Sequence, residues 1–307
     1  MADPARRPVR LRSYAKINLG LEVLALRDDG YHELRTLFQT IDLHDDVVLR
    51  PRPRGVTVRC DHPLVPADGT NLAARAAEAL RAYARVSGGV EIEIRKRIPV
   101  GGGLGGGSSN AAAVLLGLDR MWKTGLGPAG LCRLARRLGA DVPYFLLGGT
   151  ALGLSRGDEV YPLRRQLRAH VVVVDPGIHV STARVFARVD AALTPRVNSN
   201  SIFYFVSREL EGSGAFRVLV NDLEEAALEE VPALREQVRR VRAVLLRQGA
   251  RLAALSGSGG SCFGLFGGAR PAVRARAALA AEGFRALVAR TLTLDEYRAA
   301  WRVARVR

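Results

Sequence analysis

The residues that most clearly indicate chemistry form a glycine-rich segment between Pro99 and Asn110. Six of the seven positions 101–107 are glycine, with only Leu104 between them. Glycine tolerates positive φ and close backbone approach, so several N–H groups can converge on one anion. The segment leads directly into Ser108 and an Ala- and Leu-rich stretch that predicts a helix, whose N-terminus adds free N–H donors and a positive dipole end. The sequence therefore predicts a phosphate site built mainly from backbone.

Three other interpretations of this segment are weaker. A P-loop would end in Gly-Lys-Ser or Gly-Lys-Thr, and the lysine that usually contacts the β- and γ-phosphates is missing here. A dinucleotide-binding fingerprint matches only trivially, because a nearly all-glycine loop contains G-x-G by composition alone. A flexible linker would not usually run without a break into a strong helix former. Phosphate binding by backbone is therefore the favoured interpretation of the segment. The charged side chains that such a site needs must come from elsewhere in the chain.

The elements around this segment follow an irregular order. Alternating or β-branched apolar residues predict strands at 11–23, 47–49, 56–60, 90–94 and 148–154. Ala- and Leu-rich stretches with helical spacing predict helices at 71–85, 108–121 and 128–138, the last with Pro128 in its first turn.

The second half of the chain begins after a charged, turn-prone run at 156–168. Strands are predicted at 170–174, 262–266 and 287–294, helices at 181–190 (capped by Ser181 or Thr182), 222–228, 231–248 and 271–282, and a Gly- and Ser-rich turn at 256–261. The stretch 194–214 gives no clear prediction. Two halves of mixed elements indicate an α+β fold rather than the βαβ alternation of a Rossmann sheet.

Composition narrows the class of protein. Hydrophobic residues make up 48% of the chain, enough for a sizeable core, but no apolar run reaches the roughly 18–20 residues of a membrane span. Three widely spaced cysteines and no secretory pattern lead us to expect free thiols and a cytoplasmic protein. The net charge of +16 comes from dispersed arginines with few aromatics, which indicates a general field for polyanionic substrates. A basic nucleic-acid-binding module is the alternative outside the enzymes.

The glycine-rich segment, PVGGGLGGGSSNAAA, resembles the ATP-binding loop of the galactokinase–homoserine kinase–mevalonate kinase–phosphomevalonate kinase superfamily. A second stretch, LSGSGGSCFGLF at 255–266, resembles the C-terminal glycine motif of that superfamily. Residues 13–47, with AKINL and DGYHEL, are similar to the branch that phosphorylates the C2 hydroxyl of 4-diphosphocytidyl-2-C-methyl-D-erythritol with ATP, in the non-mevalonate route to isoprenoid precursors. The resemblance extends from about residue 12 to 293.

The resemblance implies a fold and a division of the chain. We expect an α+β, two-domain GHMP-kinase-like fold, with a ribosomal-protein-S5-domain-2-like N-terminal domain and a ferredoxin-like α/β sandwich as C-terminal domain. Residues 1–165 would form the ATP-binding kinase domain and residues 166–307 the substrate domain. The active site would lie in the cleft between them.

Two residues are implied to be catalytic. Asp141, in GADVPYF, matches the aspartate that accepts the proton of the C2 hydroxyl. Lys16, in YAKINL, matches a lysine that keeps that aspartate ionised, or lowers the hydroxyl pKa, and neutralises transferring charge. Their alternatives are an ordinary turn or capping aspartate and an edge-strand lysine facing solvent. Contact between the two side chains is therefore a prediction.

The same resemblance implies a cytidine diphosphate substrate and its contacts. Asn18, which shares a strand face with Lys16, would lie against the erythritol portion. Tyr31 would stack on the cytosine and His32 would hydrogen-bond it. Phe186, with Thr182 one helical turn before it, would form the other side of the pocket. Core packing is the alternative for Phe186.

For the nucleotide, the resemblance places Asn71 and Lys96 near the adenine, and Ser108 or Ser109 near Mg²⁺. Lys96 lies in RKRIP, so it could also be one solvated charge in a run. The implied ATP contacts of the loop are Pro99, Gly101, Gly102, Gly103, Leu104, Gly105, Gly106, Gly107, Ser108, Ser109 and Asn110. The expected cofactors are ATP and Mg²⁺. We expect no nucleic-acid or membrane partner, and a monomer or homodimer.

The runner-up is another kinase of the superfamily, acting on homoserine or mevalonate. Absence of DGYH and of the S-T-x-x-x-F pattern would favour it, and both patterns are present.

Overall fold

Two β-sheets organise the computed structural model, which describes residues 8–192, 202, 203, 206 and 219–302. The first sheet holds β1 (Val9–Leu26), β2 (His32–Arg52), β3 (Val56–Cys60), β4 (Gly89–Arg95), β5 (Thr150–Leu154) and β6 (Glu159–Pro162). The second has the order β10-β7-β9-β8 and holds β7 (His170–Asp175), β8 (Leu252–Leu255), β9 (Cys262–Phe266) and β10 (Arg285–Arg290). The predicted α+β class is confirmed.

Strand β2 is the longest element of the first sheet and joins its parts. One edge pairs with β1 over nearly its whole length, while the other pairs with β4 through residues 46–52 and with β5 through residues 36–39. The prediction of a strand only at 47–49 was therefore too short. Polar residues such as Thr36, Gln39 and Asp45 obscured the strand pattern, yet all three are buried and hydrogen-bonded.

The helices cover the outer faces of the two sheets. They are α1 (Leu72–Tyr83), α2 (Gly106–Trp122), α3 (Gly127–Leu138), α4 (Val142–Leu147), α5 (Thr182–Ala192), α6 (Leu223–Glu230), α7 (Pro232–Arg247), α8 (Ala269–Ala281) and α9 (Leu294–Arg302). The predicted helices are confirmed to within a few residues, except that α4 and α9 were not predicted. Among the described residues, none of these helices is long and apolar enough to cross a membrane.

The predicted strand at 287–294 is wrong at its end. β10 ends at Arg290, and α9 begins at Leu294 with a capping box. The backbone N–H of Glu296 donates to the Thr293 hydroxyl at 3.3 Å, and the N–H of Thr293 donates to the Glu296 carboxylate at 2.8 Å. The stretch 194–214 lies outside the described residues except for 202, 203 and 206.

Three buried clusters hold the sheets and helices together. Along β7, Val172 and Val174 belong to a cluster with α6, α7 and α8, whereas Val171 and Val173 belong to a cluster with Ile17 and Leu37 of the first sheet. The second sheet is thus buried on both faces, which explains its continuous apolar strands. The remaining cluster lies between the first sheet and α1 to α4, and α9 returns to it with Tyr297 and Trp301.

The predicted domain boundary at residue 165 lies in the connection between β6 and β7. Because α9 packs back on the first core, the chain is not separated cleanly at that point. The division into an ATP-binding and a substrate domain stays a prediction.

Candidate active site

Lys16 and Asp141 meet where β1 passes the start of α4. The Lys16 ammonium Nζ lies 3.4 Å from Asp141 Oδ2 and donates to Asn18 Oδ1 at 2.5 Å. Although β1 is an edge strand, Lys16 is only 4% exposed, so the alternative of a solvent-facing lysine is wrong. The predicted contact between the two side chains is confirmed.

Asp141 is held in place by the short helix that follows it. It precedes α4, but its side chain caps no backbone N–H of that helix. Tyr144 and Phe145 anchor α4 in the core, and the Tyr144 hydroxyl donates to the carbonyl of Gly149 at 2.8 Å. Burial raises the pKa of Tyr144 well above its usual value, so this hydroxyl keeps its proton. The carboxylate of Asp141 is therefore fixed beside Lys16 while one third of its side chain stays exposed.

Asn18 orients the ammonium group of Lys16. Its amide Nδ2 donates to the Thr36 hydroxyl at 2.7 Å, which directs Oδ1 toward Lys16. Its backbone N–H donates to Ser256 Oγ at 3.3 Å, and Ser256 Oγ donates to the carbonyl of Gly103 at 3.0 Å. The Gly- and Ser-rich turn at 256–261 is thereby hydrogen-bonded to both β1 and the glycine loop. Thr36 was missed in the sequence because it lies in the unrecognised part of β2.

The glycine loop is packed, not flexible. Gly103 has φ of +74°, and a Cβ there would lie 1.9 Å from the carbonyl oxygen of Ser256. A Cβ at Gly259 would lie 2.0 Å from the backbone nitrogen of Gly103. A Cβ at Gly105, which precedes α2, would meet Phe145 at 2.7 Å and Lys16 Cγ at 3.1 Å. Only glycine permits these approaches, so the alternative of a flexible linker is wrong.

The open side of the loop is the first turn of α2. A Cβ at Gly107 would have no atom within 4 Å, and Gly107 is exposed. The first intrahelical bond runs from the N–H of Ser109 to the carbonyl of Gly105 at 2.8 Å. The N–H groups of Gly106, Gly107 and Ser108 precede that bond, so they have no acceptor within the helix and are available to an anion.

Two of the predicted ATP contacts turn their side chains inward. Ser109 and Asn110 are buried, and both hydrogen-bond Ser13 Oγ at 2.8 Å. Asn110 Nδ2 also donates to Asp45 Oδ2 at 3.0 Å. Ser108, the residue before these two, is half-buried. Side-chain contact of Ser109 and Asn110 with a nucleotide therefore has no support from their orientation.

Lys96 and Asp45 form a buried pair beneath the loop. Lys96 Nζ donates to Asp45 Oδ2 at 2.5 Å, and Asp45 Oδ1 accepts the N–H groups of Arg97 and Ile98. A Cβ at Gly106 would lie 2.9 Å from Lys96 Nζ. The alternative of a solvated lysine is wrong, because its side chain is only 5% exposed. Asp45 was missed because nothing in its spacing distinguishes it from neighbouring acids.

Asn71 caps helix α1. Its Oδ1 accepts the N–H of Ala73 at 2.9 Å and its Nδ2 donates to the carbonyl of Pro66 at 2.7 Å. Both ends of the amide thus make a hydrogen bond within the protein. Its assignment to the adenine region stays a prediction.

The residues predicted to bind cytidine lie at the start of β2 and on α5. The rings of His32 and Phe186 stack, with centroids 4.8 Å apart. Tyr31 is 53% exposed, and the Thr182 hydroxyl lies 2.8 Å from Ser258 Oγ. Within the described part of the chain, no group of three or more His, Cys, Asp or Glu side chains could hold a metal ion.

The fold and this site define a GHMP kinase. The family described as "GHMP kinases N terminal domain" matches residues 71–149, and "GHMP kinases C terminal" matches residues 211–285. A solved homoserine kinase from Cytophaga hutchinsonii superposes with a TM-score of 0.73 at 20% identity, covering 93% of this chain and 95% of its own. At that identity the likeness shows the fold alone.

Closer relatives narrow the class. A 4-diphosphocytidyl-2-C-methyl-D-erythritol kinase from Solibacter usitatus is 44% identical over 265 residues, covering 85% of this chain and 82% of its own. One from Chlorobium luteolum is 41% identical over 271 residues, covering 87% and 92%. A crystal structure of 4-(cytidine 5'-diphospho)-2C-methyl-D-erythritol kinase has a TM-score of 0.75 at 38% identity, covering 92% and 98%. The chain belongs to the family of 4-diphosphocytidyl-2-C-methyl-D-erythritol kinases and is an ATP-dependent small-molecule kinase, as the sequence predicted.

Proposed function

We propose that the protein transfers the γ-phosphoryl group of ATP to the C2 hydroxyl of 4-diphosphocytidyl-2-C-methyl-D-erythritol, giving the 2-phosphate and ADP. The observation that carries the proposal is the ion pair of Lys16 and Asp141, 3.4 Å apart beside the open first turn of α2. A base, a cation and a phosphate cradle are the parts that phosphoryl transfer requires. The family supplies the identity of the acceptor.

In this mechanism the triphosphate lies against the N–H groups of Gly106, Gly107 and Ser108. The C2 oxygen forms a bond to the γ-phosphorus as the bond from that phosphorus to the β–γ bridging oxygen breaks. Asp141 accepts the proton of the C2 hydroxyl. Lys16 lies 3.4 Å from that carboxylate and neutralises charge on the transferring group, with its Nζ oriented by Asn18.

Mg²⁺ fits this site as an ion that arrives with the nucleotide. Such an ion needs few protein ligands when phosphates supply the others, and the described residues hold no carboxylate cluster for a resident metal. We assign Ser108, half-buried at the start of α2, as its protein ligand. When bound, the ion neutralises charge on the β- and γ-phosphates.

The acceptor is recognised through its cytosine and its erythritol. With His32 stacked on Phe186, the exposed Tyr31 ring is an aromatic face free to stack on the base. His32 hydrogen-bonds the base, Thr182 and Phe186 complete the pocket, and Asn18 contacts the erythritol. On the nucleotide side, Asn71 and Lys96 lie near the adenine. We further propose a cytoplasmic monomer or homodimer, in keeping with three free thiols.

Release of ADP tests the proposal. Purified protein is mixed with ATP, Mg²⁺ and one of three acceptors: 4-diphosphocytidyl-2-C-methyl-D-erythritol, homoserine or mevalonate. We expect turnover with the first alone. Turnover with homoserine or mevalonate, and none with the cytidine compound, would refute the assignment.

A further inference from the structure

A charged turn supports the hairpin that carries Tyr31 and His32. The turn is residues 155–158, between β5 and β6. The guanidinium carbon of Arg156 lies 4.6 Å from the centroid of the Tyr31 ring, within the range of a cation–π contact. The proposed function gives a role to Tyr31 but none to Arg156.

The guanidinium of Arg156 is itself held by a buried carboxylate. Its Nη2 donates to Asp158 Oδ2 at 2.8 Å, and the same oxygen accepts Arg136 Nε of α3 at 3.0 Å. Burial alone would raise the pKa of the Asp158 carboxyl, but hydrogen bonds from Arg156 and Arg136 outweigh it and hold the pKa below its usual value. Asp158 is therefore a fixed anion, and it restricts where the Arg156 guanidinium can lie.

The turn is also bonded to the hairpin. The N–H of Leu34 donates to the Ser155 carbonyl at 2.6 Å, and Arg27 Nη1 donates to the Ser155 hydroxyl at 3.0 Å. Ser155 has φ of +61°, a backbone conformation that residues other than glycine rarely adopt. Such a conformation persists where the surrounding structure enforces it. The hairpin and the turn thus behave as one unit, with Arg156 on one face of the Tyr31 ring.

We propose that Arg156 is a positioning residue for base recognition: it holds one face of the Tyr31 ring and leaves the opposite face for the pyrimidine base of the substrate. The proposal rests on the proposed function, which makes Tyr31 a stacking residue. An exposed tyrosine samples several rotamers, and only the molecules in the competent rotamer bind the base. At an exposed site, losing the cation–π contact should weaken substrate binding about two- to fivefold.

A double-mutant cycle tests this role. KM and kcat for 4-diphosphocytidyl-2-C-methyl-D-erythritol, and KM for ATP, are measured for the wild type, Arg156→Gln, Tyr31→Ala and the double variant. Arg164→Gln is the matched control, because it removes the same charge from an exposed arginine of the following loop. Arg156→Lys keeps a cation over the ring but loses the planar guanidinium that meets Asp158.

If Arg156 acts through Tyr31, Arg156→Gln raises KM for the cytidine substrate about two- to fivefold, with kcat and the KM for ATP unchanged. In the Tyr31→Ala background, Arg156→Gln has no further effect on this KM. The KM of Arg156→Lys lies between those of the wild type and Arg156→Gln, and the KM of Arg164→Gln equals that of the wild type. An equal rise in both backgrounds would show direct contact with the substrate and overturn the proposal. An unchanged KM in Arg156→Gln would also overturn it.

Failure of the proposed function gives a different result. In that case the wild type shows no turnover with the cytidine substrate. The contact is then measured in the same four proteins by thermal unfolding, which needs no substrate. Effects on the melting temperature that do not add support the contact between Arg156 and Tyr31, whereas additive effects overturn it.

Discussion

Lys16 and Lys96 are both buried lysines paired with a carboxylate, but the two pairs differ in access. Asp45, the partner of Lys96, is fully buried and accepts hydrogen bonds from several backbone and side-chain groups. Asp141, the partner of Lys16, keeps 33% of its side chain exposed. A base must reach its substrate, so Asp141 suits proton transfer whereas Asp45 suits support of the loop.

Asp141→Asn tests the first pair. The amide keeps the shape of the side chain but cannot accept the hydroxyl proton, so we expect kcat to fall by a factor of about 10² to 10⁴. The KM for ATP should stay close to that of the wild type. Steady-state kinetics with the cytidine substrate measures both. Asp295→Asn, at an exposed carboxylate of α9, is the control, and a kcat of Asp141→Asn equal to the control would contradict the role of base.

Asp45→Asn tests the second pair. Removing this charge leaves the Lys96 ammonium buried without its counter-ion, which should lower the free energy of unfolding by about 3–5 kcal/mol. Adding Lys96→Met removes the second charge and should restore much of the loss. Asp46→Asn, which breaks a more exposed pair with Arg97, should cost less than about 1 kcal/mol. Equal losses in Asp45→Asn and Asp46→Asn, measured by urea unfolding, would refute this account.

Among the elements, the start of α2 both packs against the buried Lys96 and forms the proposed phosphate site. The helix begins with Gly106 and Gly107, which the predicted helix at 108–121 left in the loop. Gly106 lies against Lys96, whereas Gly107 faces open space. This difference separates the packing role of the loop from its proposed phosphate-binding role.

Gly107→Ala tests that separation. Alanine favours the helix by up to about 1 kcal/mol, and its methyl group meets no protein atom, so the melting temperature should hold or rise. The same methyl group would occupy the space proposed for the phosphates and should raise the KM for ATP roughly 5- to 150-fold, the equivalent of overpacking by about 1–3 kcal/mol. Gly69→Ala, at another glycine with open space, is the control. An unchanged KM for ATP would place the phosphates elsewhere.

Much of the element order could be predicted from local pattern. The helices with long apolar stripes and the strands with regular alternation were identified, and the glycine segment indicated its anion site. Strand β2 was recognised only in part, because polar residues such as Thr36 and Asp45 are satisfied by partners more than ten positions away. Helix α4 was missed because six residues are too few for a helical period to register. Lys16 and Asp141 are far apart in the sequence, so their contact could be predicted only from the family pattern.

At the scale of the whole molecule, β1 and β2 connect all three cores. Leu11 packs in the first cluster, Leu21 in the second and Ile17 in the third, although all three lie on β1. Helix α9 adds a second connection, since the Tyr297 hydroxyl donates to the Phe145 carbonyl at 2.6 Å, one turn from Asp141. Neither sheet can lose its packing without disturbing the other.

We therefore expect the two sheets to unfold together. The two tryptophans, Trp122 and Trp301, report on the first core by fluorescence, and the thiol of Cys262 reports on the second. Burial raises the pKa of Cys262 to about 12, so in the folded protein it should not react with a thiol reagent at pH 8. In a Cys60→Ser, Cys132→Ser background, both probes should give the same urea midpoint. Two separated midpoints would show that the halves unfold independently.

The destination of the γ-phosphate shows whether the C2 hydroxyl is the acceptor. The protein is incubated with ATP, Mg²⁺ and 4-diphosphocytidyl-2-C-methyl-D-erythritol, and the products are followed by ³¹P NMR. We expect one new phosphomonoester signal on the acceptor that is not split by a neighbouring proton, because C2 carries no hydrogen, with the diphosphate signals of the acceptor intact and ADP formed in equal amount. Inorganic phosphate as the only new product, or a phosphate on another hydroxyl, would contradict it.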